Sequence, residues 1–208
     1  MKVLTELSIV TAVIFAQVVV AQEVVKLPEK IHKKTKYLNQ ESLLYGPRGV
    51  DVSEKAPLLV FLHGRAKRGR NIEELEGVGK WMLFKNVDKH ELLLVMPQCL
   101  KDKKEKGWWH VGDLNLPLEH LKKSYNIDED RIYLAGYRMG GFGTWVWAIS
   151  EPRTCAAIAP IAGGGDPGKA KAIKHLPIWV YHGKKDKRVP QKQSEEMVEA
   201  LKKKGVKK

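Results

Sequence analysis

Short, unbroken apolar runs alternate along this chain with longer stretches in which apolar residues recur at helical spacing. The runs, each predicted to be a strand, are residues 57–62, 92–96, 131–135, 155–161 and 177–181. The stretches predicted to be helices lie at 72–84, 116–125, from Gly140 onward, at 169–174 and at 191–204. Buried parallel strands are continuously apolar, and repeated strand–helix units form a sheet covered by helices on both faces. The pattern predicts an α/β fold with a doubly wound, mostly parallel sheet in three layers.

The region before the first of these runs is more polar. Residues 36–38 and 42–45 are predicted to form two antiparallel strands at the start of the sheet. The chain contains no internal repeat, low-complexity tract or linker that would separate a second domain. Residues 22–208 are therefore predicted to form one domain.

The first residues have the features of an export signal. Lys2 supplies a positive start, residues 7–21 are mostly apolar, and Val19-Val20-Ala21 is a small-residue cleavage site. We therefore predict a signal peptide over residues 1–21, a secreted or periplasmic protein, and no stable membrane span once the signal is removed. A retained N-terminal anchor and a simple N-terminal helix are the alternatives.

The 208 residues include 37 Lys plus Arg against 24 Asp plus Glu, a net charge of +13. Such an excess is typical of proteins that bind nucleic acid or anionic polymers, and also of lysine-rich solvated surfaces. No helix-turn-helix, zinc-finger or RRM signature accompanies the charge. We therefore predict a solvated basic surface and no nucleic-acid partner.

The two cysteines are predicted to be free and buried. Cys99 follows the strand at 92–96, whereas Cys155 begins the strand at 155–161. If both strands belong to one parallel sheet, the two residues lie at opposite edges of it. A disulfide needs Cα atoms within about 7 Å, which this placement does not allow.

The segment 136–140, of sequence GYRMG, lies between a predicted strand and a predicted helix. Strand, G-x-x-x-G and helix is the arrangement of a nucleophile elbow, whose central residue is normally serine. Here the central residue is Arg138, whose guanidinium stays protonated and has no hydroxyl or usable lone pair. Arg138 occupies the nucleophile position but cannot attack a carbonyl.

The remaining parts of a catalytic triad are only partly present. The backbone amides of Arg65, after His63-Gly64, and of Met139 are predicted to form an oxyanion hole. Asp186, on the loop after the strand at 177–181, is at the position of the triad acid. The base would follow the acid in sequence, and no histidine follows Asp186 in the 208 residues. No cluster of His, Cys or carboxylate residues has metal-ligand spacing, so we predict no metal.

These motifs together resemble the α/β-hydrolase superfamily. Within it, the chain is similar to the phospholipase/carboxylesterase and predicted-peptidase group, which is related to polyhydroxybutyrate depolymerases and feruloyl esterases. The resembling segments are 57–71, 95–99 with Trp108-Trp109, 127–147, 156–167 and 176–205. The resemblance implies the α/β-hydrolase fold and cofactor-free hydrolysis of a small-molecule or polymeric ester or thioester through an acyl-enzyme.

The chain departs from that family pattern at two places. By position, Arg138 corresponds to the nucleophile, Asp186 to the triad acid, and Arg65 with Met139 to the oxyanion amides. The serine is replaced, and the terminal strand with its Gly-His segment is not in the sequence. The resemblance therefore predicts a C-terminally shortened domain whose last strand is missing. The strand at 177–181 would then be an unpaired apolar edge that favours self-association.

Three hypotheses follow for function. The first is a protein of carboxylesterase lineage that is catalytically inactive. The second is a non-catalytic protein that binds an anionic ligand at the former active site, unless Arg138 pairs internally with Asp186 and fills that site. The third is an active exported esterase, if the arginine codon and the early end of the chain are errors in the sequence.

Overall fold

A mixed sheet runs through the part of the chain that the structure describes. The structure is a computed structural model, and it describes residues 21–46, 55–78, 91–101 and 108–206. In chain order, the strands are β1 (Ala21–Lys26), β2 (Leu38–Gly46), β3 (Ala56–Leu62), β4 (Leu93–Cys99), β5 (Ile127–Tyr137) and β6 (Ala157–Ile161). Their order in the sheet is β1-β2-β4-β3-β5-β6. The pairs from β4 to β6 are parallel, and β1 and β2 are antiparallel additions.

Helices and 3-10 turns connect the strands. The helices are α1 (Glu29–His32), α2 (Val111–Ser124), α3 (Met139–Ser150) and α4 (Lys192–Lys203). The 3-10 turns cover Arg65–Lys67, Ile72–Leu75 and Pro167–Ile173. The loops that follow β3, β4, β5 and β6 all leave the carboxyl edge of the parallel strands, which is where α/β proteins assemble their sites.

The strands are buried on both faces, which explains their continuous apolar sequence. On one face, the sheet packs against α2, α3 and α4 through side chains that are almost fully buried. These are Leu114, Leu118, Leu121, Trp145, Trp147, Met197 and Leu201. On the other face, Phe61, Leu94 and Met96 pack against Ile72 and Leu75 of the second 3-10 turn. The predicted α/β fold, with a mostly parallel sheet covered on both faces, is therefore confirmed.

The start of the sheet differs from the prediction. Residues 36–38 and 42–45 do not form two strands that pair with each other, because β2 spans Leu38–Gly46 as one strand. Its antiparallel partner is β1, which pairs Ala21 with Gly46 and Lys26 with Glu41. The sequence pattern does not reveal β1, since it is an edge strand with little buried surface and Val24 is 49% exposed.

Helix α2 begins five residues earlier than predicted. The sequence pattern predicted a helix over residues 116–125. In the structure, the helix begins at Val111 and contains Pro117. The earlier start is supported by Asp113, whose carboxylate accepts the backbone N–H groups of Lys36 and Tyr37 at 3.0 and 2.7 Å.

The predicted strand at 177–181 pairs with β6 through two isolated parallel bridges, Ile158 to Ile178 and Ile161 to Tyr181. Ile178 and Val180 pack against the core, whereas Trp179 is 78% and Tyr181 66% exposed. This alternation is that of an extended segment at the sheet edge. We refer to residues 177–181 as the edge segment.

The remaining predictions concern the N-terminus and the cysteines. The predicted signal peptide, apart from Ala21, lies outside the described residues, as do residues 79–84 of the helix predicted at 72–84. No helix among the described residues is long and apolar enough to cross a membrane. Cys99 and Cys155 are free and buried, as predicted. Burial raises the pKa of each thiol to about 12.

Candidate active site

The turn between β5 and α3 has the geometry of a nucleophile elbow. Arg138 is at its tip, with backbone angles φ 53° and ψ −111°. A positive φ of this kind is rarely adopted by residues other than glycine. Such a conformation costs on the order of 1–3 kcal/mol and persists only where the surroundings impose it. The Arg138 N–H donates to the Ile161 carbonyl at 2.8 Å, and its carbonyl accepts from Phe142 at 2.9 Å.

Two glycines let the backbone approach itself closely enough for this turn. A Cβ on Gly136 would lie 2.3 Å from the Gly140 carbonyl oxygen, and one on Gly140 would lie 1.8 Å from the Leu62 carbonyl oxygen. Both contacts are far shorter than a non-bonded carbon–oxygen separation, and both involve backbone atoms. The glycine spacing that predicted the elbow is therefore imposed by contact between β5, α3 and β3.

Arg138 forms an ion pair with Asp186. Its Nη2 lies 3.1 Å from Asp186 Oδ2, with 30% of the arginine side chain and 9% of the aspartate side chain exposed. The guanidinium also lies over the Tyr137 ring, 5.2 Å from its centroid. The internal ion pair considered from the sequence is present, and it joins the predicted nucleophile position to the predicted acid position.

Asp186 is held by its own loop as well as by Arg138. Its Oδ1 accepts the backbone N–H groups of Arg188 and Val189 at 2.8 and 3.1 Å. These two hydrogen bonds, with the positive charge of Arg138, hold the pKa of the Asp186 carboxyl below its usual range. The group is therefore an anion at neutral pH.

His63 connects the ends of β3 and β4. Its side chain is 1% exposed, with Nδ1 2.8 Å from the Gly64 carbonyl and Nε2 accepting the Cys99 N–H at 3.0 Å. Burial lowers the pKa of His63 to about 4. Because the Gly64 carbonyl can only accept, Nδ1 carries the proton of a neutral ring. Both ring nitrogens are therefore engaged in holding the loop that contains Arg65.

His182 is also engaged by neighbouring groups. Its Nδ1 lies 2.7 Å from Ser194 Oγ, and its Nε2 lies 2.9 Å from the Val189 carbonyl. Ser194 is buried in α4 and donates to the Gly163 carbonyl at 2.6 Å. His182 therefore ties the Asp186 loop to α4 and to the loop after β6.

A cavity of about 600 Å³ opens over the elbow. It is lined by Phe61, Gly64, Arg65, Ala66, Lys67, Val78, Trp108, Tyr137, Arg138, Met139, Phe142, Arg188 and Val189. The structure thus brings Arg65, Arg138 and Met139 to one cavity, and the ion pair brings Asp186 to its border. The roles of the Arg65 and Met139 amides as oxyanion donors stay predictions.

Sequence reasoning missed several residues of this cavity. Trp108, Phe142 and Arg188 line it, although none of them belongs to a catalytic motif. Trp108 was noticed only as part of the family pattern. Among the described residues, no group of three His, Cys, Asp or Glu side chains is placed to hold a metal ion.

Comparison with known proteins assigns the chain to a family. The family model described as the dienelactone hydrolase family matches residues 85–208, which is more than half of the chain. This chain belongs to the dienelactone hydrolase family. The match includes β4, the elbow and the Asp186 loop.

Three similar proteins support this membership. A solved thermostable esterase has 31% identity and a TM-score of 0.73, over 89% of this chain and 52% of its own. The bifunctional acetylxylan esterase/xylanase XynS20E of Neocallimastix patriciarum is 39% identical over 69 residues, which are 33% of this chain and 10% of that protein. Poly(3-hydroxyalkanoate) depolymerase C of Paucimonas lemoignei is 28% identical over 139 residues, which are 61% of this chain and 32% of that protein.

The chain spans only part of each of these relatives, about half of the esterase and a third or less of the other two. The similarity therefore identifies the family and its esterase and hydrolase lineage.

Proposed function

We propose that this chain is a member of an esterase lineage that does not hydrolyse esters. The observation that carries the proposal is the Arg138 guanidinium at the tip of the elbow, 3.1 Å from the Asp186 carboxylate. A protonated guanidinium has no lone pair to form an acyl-enzyme. Asp186, which would orient the base in an active relative, instead neutralises the arginine.

The histidines at this edge of the sheet support the same proposal. Both ring nitrogens of His63 are hydrogen-bonded within the loops after β3 and β4. His182 is bonded to Ser194 and Val189. Neither imidazole is therefore free to accept a proton from a nucleophile at position 138. In a serine hydrolase, loss of a triad member leaves only roughly 10³–10⁴-fold acceleration over water.

The proposal is tested by treating the purified protein with a fluorophosphonate probe, which labels active serine hydrolases, and by assaying it with the ester p-nitrophenyl butyrate. We expect no covalent adduct by mass spectrometry and no release of p-nitrophenol above buffer. Arg138→Ser should also be inactive, because the ring nitrogens of His63 and His182 are already engaged by other groups. Labelling of the wild-type protein would overturn the proposal, and turnover by Arg138→Ser would show that a base is present.

A second function is favoured by the lining of the cavity. Arg138, Lys67 and Arg188 border it, and none of its lining residues among the described part of the chain is acidic. We propose that this retained cavity binds an anion. The names of two relatives refer to polymeric esters, and the acid or alcohol released from such an ester is of a size that the cavity could hold.

A further inference from the structure

The cavity over Arg138 has more positive than negative charge. Arg138, Lys67 and Arg188 line it. Asp186 offsets Arg138 through one ion pair, and no other salt bridge within the described residues involves Lys67 or Arg188. A partly enclosed site with uncompensated cations favours an anion over the neutral form of the same molecule.

The same cavity has an aromatic wall. The rings of Trp108 and Phe142 lie with centroids 6.0 Å apart at 57°. Trp108 is 41% and Tyr137 38% exposed, although both border the cavity. Aromatic side chains that stay exposed beside a concave surface commonly mark a site for an apolar or planar ligand.

Arg138 has the capacity to bind a ligand without releasing Asp186. A guanidinium carries five N–H groups in one plane, and Nη2 is the group that donates to Asp186. Nε is buried, so a ligand cannot reach it, but the side chain as a whole is 30% exposed. Among the described residues, the guanidinium donates one hydrogen bond, from Nη2 to Asp186. Its outer N–H groups therefore have capacity for a second acceptor, and a planar carboxylate is the group a guanidinium binds best.

The size of the cavity limits the ligand to a small molecule. Its volume of about 600 Å³ lies within the usual range for small-molecule sites. We propose that it binds an aromatic monocarboxylate, with the carboxylate on Arg138 and the ring against Trp108 and Phe142. This inference rests on the anion binding proposed above. The replacement of serine by arginine would then have changed the preference of the site from a neutral ester to the free acid.

Calorimetric titration with trans-cinnamate and with methyl cinnamate, at pH 7 and low ionic strength, tests the proposal. The two probes share the ring and differ in charge. We expect cinnamate to bind at least about tenfold more tightly than its ester, because a charge-assisted hydrogen bond contributes roughly that much. Raising the salt concentration should weaken cinnamate binding and leave the ester unaffected.

Two variants locate the binding. Arg138→Gln should lose about tenfold or more in affinity for cinnamate. Arg153→Gln removes the same charge from an exposed residue beyond the other end of α3, and it should bind cinnamate as the wild type does. Circular dichroism confirms that both variants are folded. Unchanged binding by Arg138→Gln would overturn the proposal.

The aromatic part of the proposal has its own test. Octanoate carries the same charge without a ring, so it should bind more weakly than cinnamate, and Trp108→Ala should reduce this difference. Equal affinities for octanoate and cinnamate would overturn the aromatic assignment. No heat with cinnamate at millimolar concentration would overturn the site as a whole and leave the proposed lack of hydrolysis intact. Hydrolysis of methyl cinnamate in the same samples would instead overturn the proposed function.

Discussion

The elbow around Arg138 and the edge segment belong to the same sheet but differ in how closely their backbones are packed. At the elbow, an added Cβ on Gly140 would lie 1.8 Å from a backbone oxygen. At the edge segment, two isolated bridges provide the pairing, and Trp179 is 78% exposed. The elbow backbone is therefore held by contacts that involve its glycines and not the central side chain. Consequently, the turn keeps its geometry with an arginine at its centre.

The comparison also separates fold from chemistry. The contacts that maintain the elbow come from Gly136, Gly140 and the main chain of β3. The chemistry of the site depends on the side chain at position 138, which forms an ion pair with Asp186. A family match based on the whole pattern therefore establishes lineage and does not by itself establish activity.

The largest loss of stability is expected from a substitution that fills the space at the elbow. Gly140→Ala places a methyl group against the Leu62 carbonyl, and neither backbone can move without disrupting β3 or α3. We expect a loss in the free energy of unfolding at the upper end of the range for overpacking, about 3 kcal/mol or more. Urea denaturation followed by circular dichroism measures it.

Gly112→Ala is the matched control for that variant. A Cβ at Gly112, in the first turn of α2, would meet no atom within 4 Å. The substitution should leave stability unchanged or raise it by about 0.5–1 kcal/mol, since alanine is the better helix former. Equal effects of the two substitutions would show that the elbow is not closely packed.

The next largest effect is the pH dependence of the free energy of unfolding, which depends on His63 beside the elbow. The pKa of His63 is lowered to about 4 in the folded protein, against about 6.5 in the unfolded chain. The unfolded chain therefore binds the proton more readily. The stability from the neutral buried ring is fully present above pH 6.5 and is lost as the pH falls toward 4, by about 3 kcal/mol.

Urea denaturation at several values between pH 7.5 and 4.5 measures this loss. His175→Gln, which changes an exposed histidine, should retain the pH dependence of the wild type. His63→Asn, which cannot titrate, should be less stable at pH 7.5 and have a flatter profile. A wild-type stability that is constant between pH 6.5 and 4.5 would contradict the assigned role of His63.

The smallest effect on stability is expected at the edge segment. Trp179→Lys removes a large exposed apolar side chain and adds a charge to an incompletely paired edge, a change that disfavours edge-to-edge pairing. We expect the free energy of unfolding to change by less than about 0.5 kcal/mol and self-association to decrease. Light scattering over a range of concentrations measures the latter. A wild-type protein that is monomeric throughout would contradict the predicted association.

Most of the parallel sheet could be predicted from the sequence because its strands are buried on both faces. β3 and β5 contain the apolar runs from which they were predicted, and β4 begins one residue after the start of its run. β1 could not be predicted in this way, because an edge strand with one solvated face carries little of that pattern. The start of α2 was misplaced because residues 111–115 include Gly112, Asp113 and Asn115, which are weak helix formers.

The candidate site was predictable to the extent that it follows from strand ends. Arg138 and Asp186 both follow extended segments of one parallel sheet, so their proximity at its carboxyl edge was expected. The cavity walls formed by Trp108, Phe142 and Arg188 were not predicted. Their positions depend on how separate loops fold over the elbow, which no local pattern records.

The sequence by itself determined that position 138 carries a permanently charged side chain between glycines, because residue identity and spacing are local properties. Only the tertiary structure decided that this charge is paired with Asp186, that His63 and His182 act as structural ties, and that aromatic rings and cations surround one cavity. Those features depend on distances between residues far apart in the chain. Such distances are set when the sheet brings its loops to a common edge.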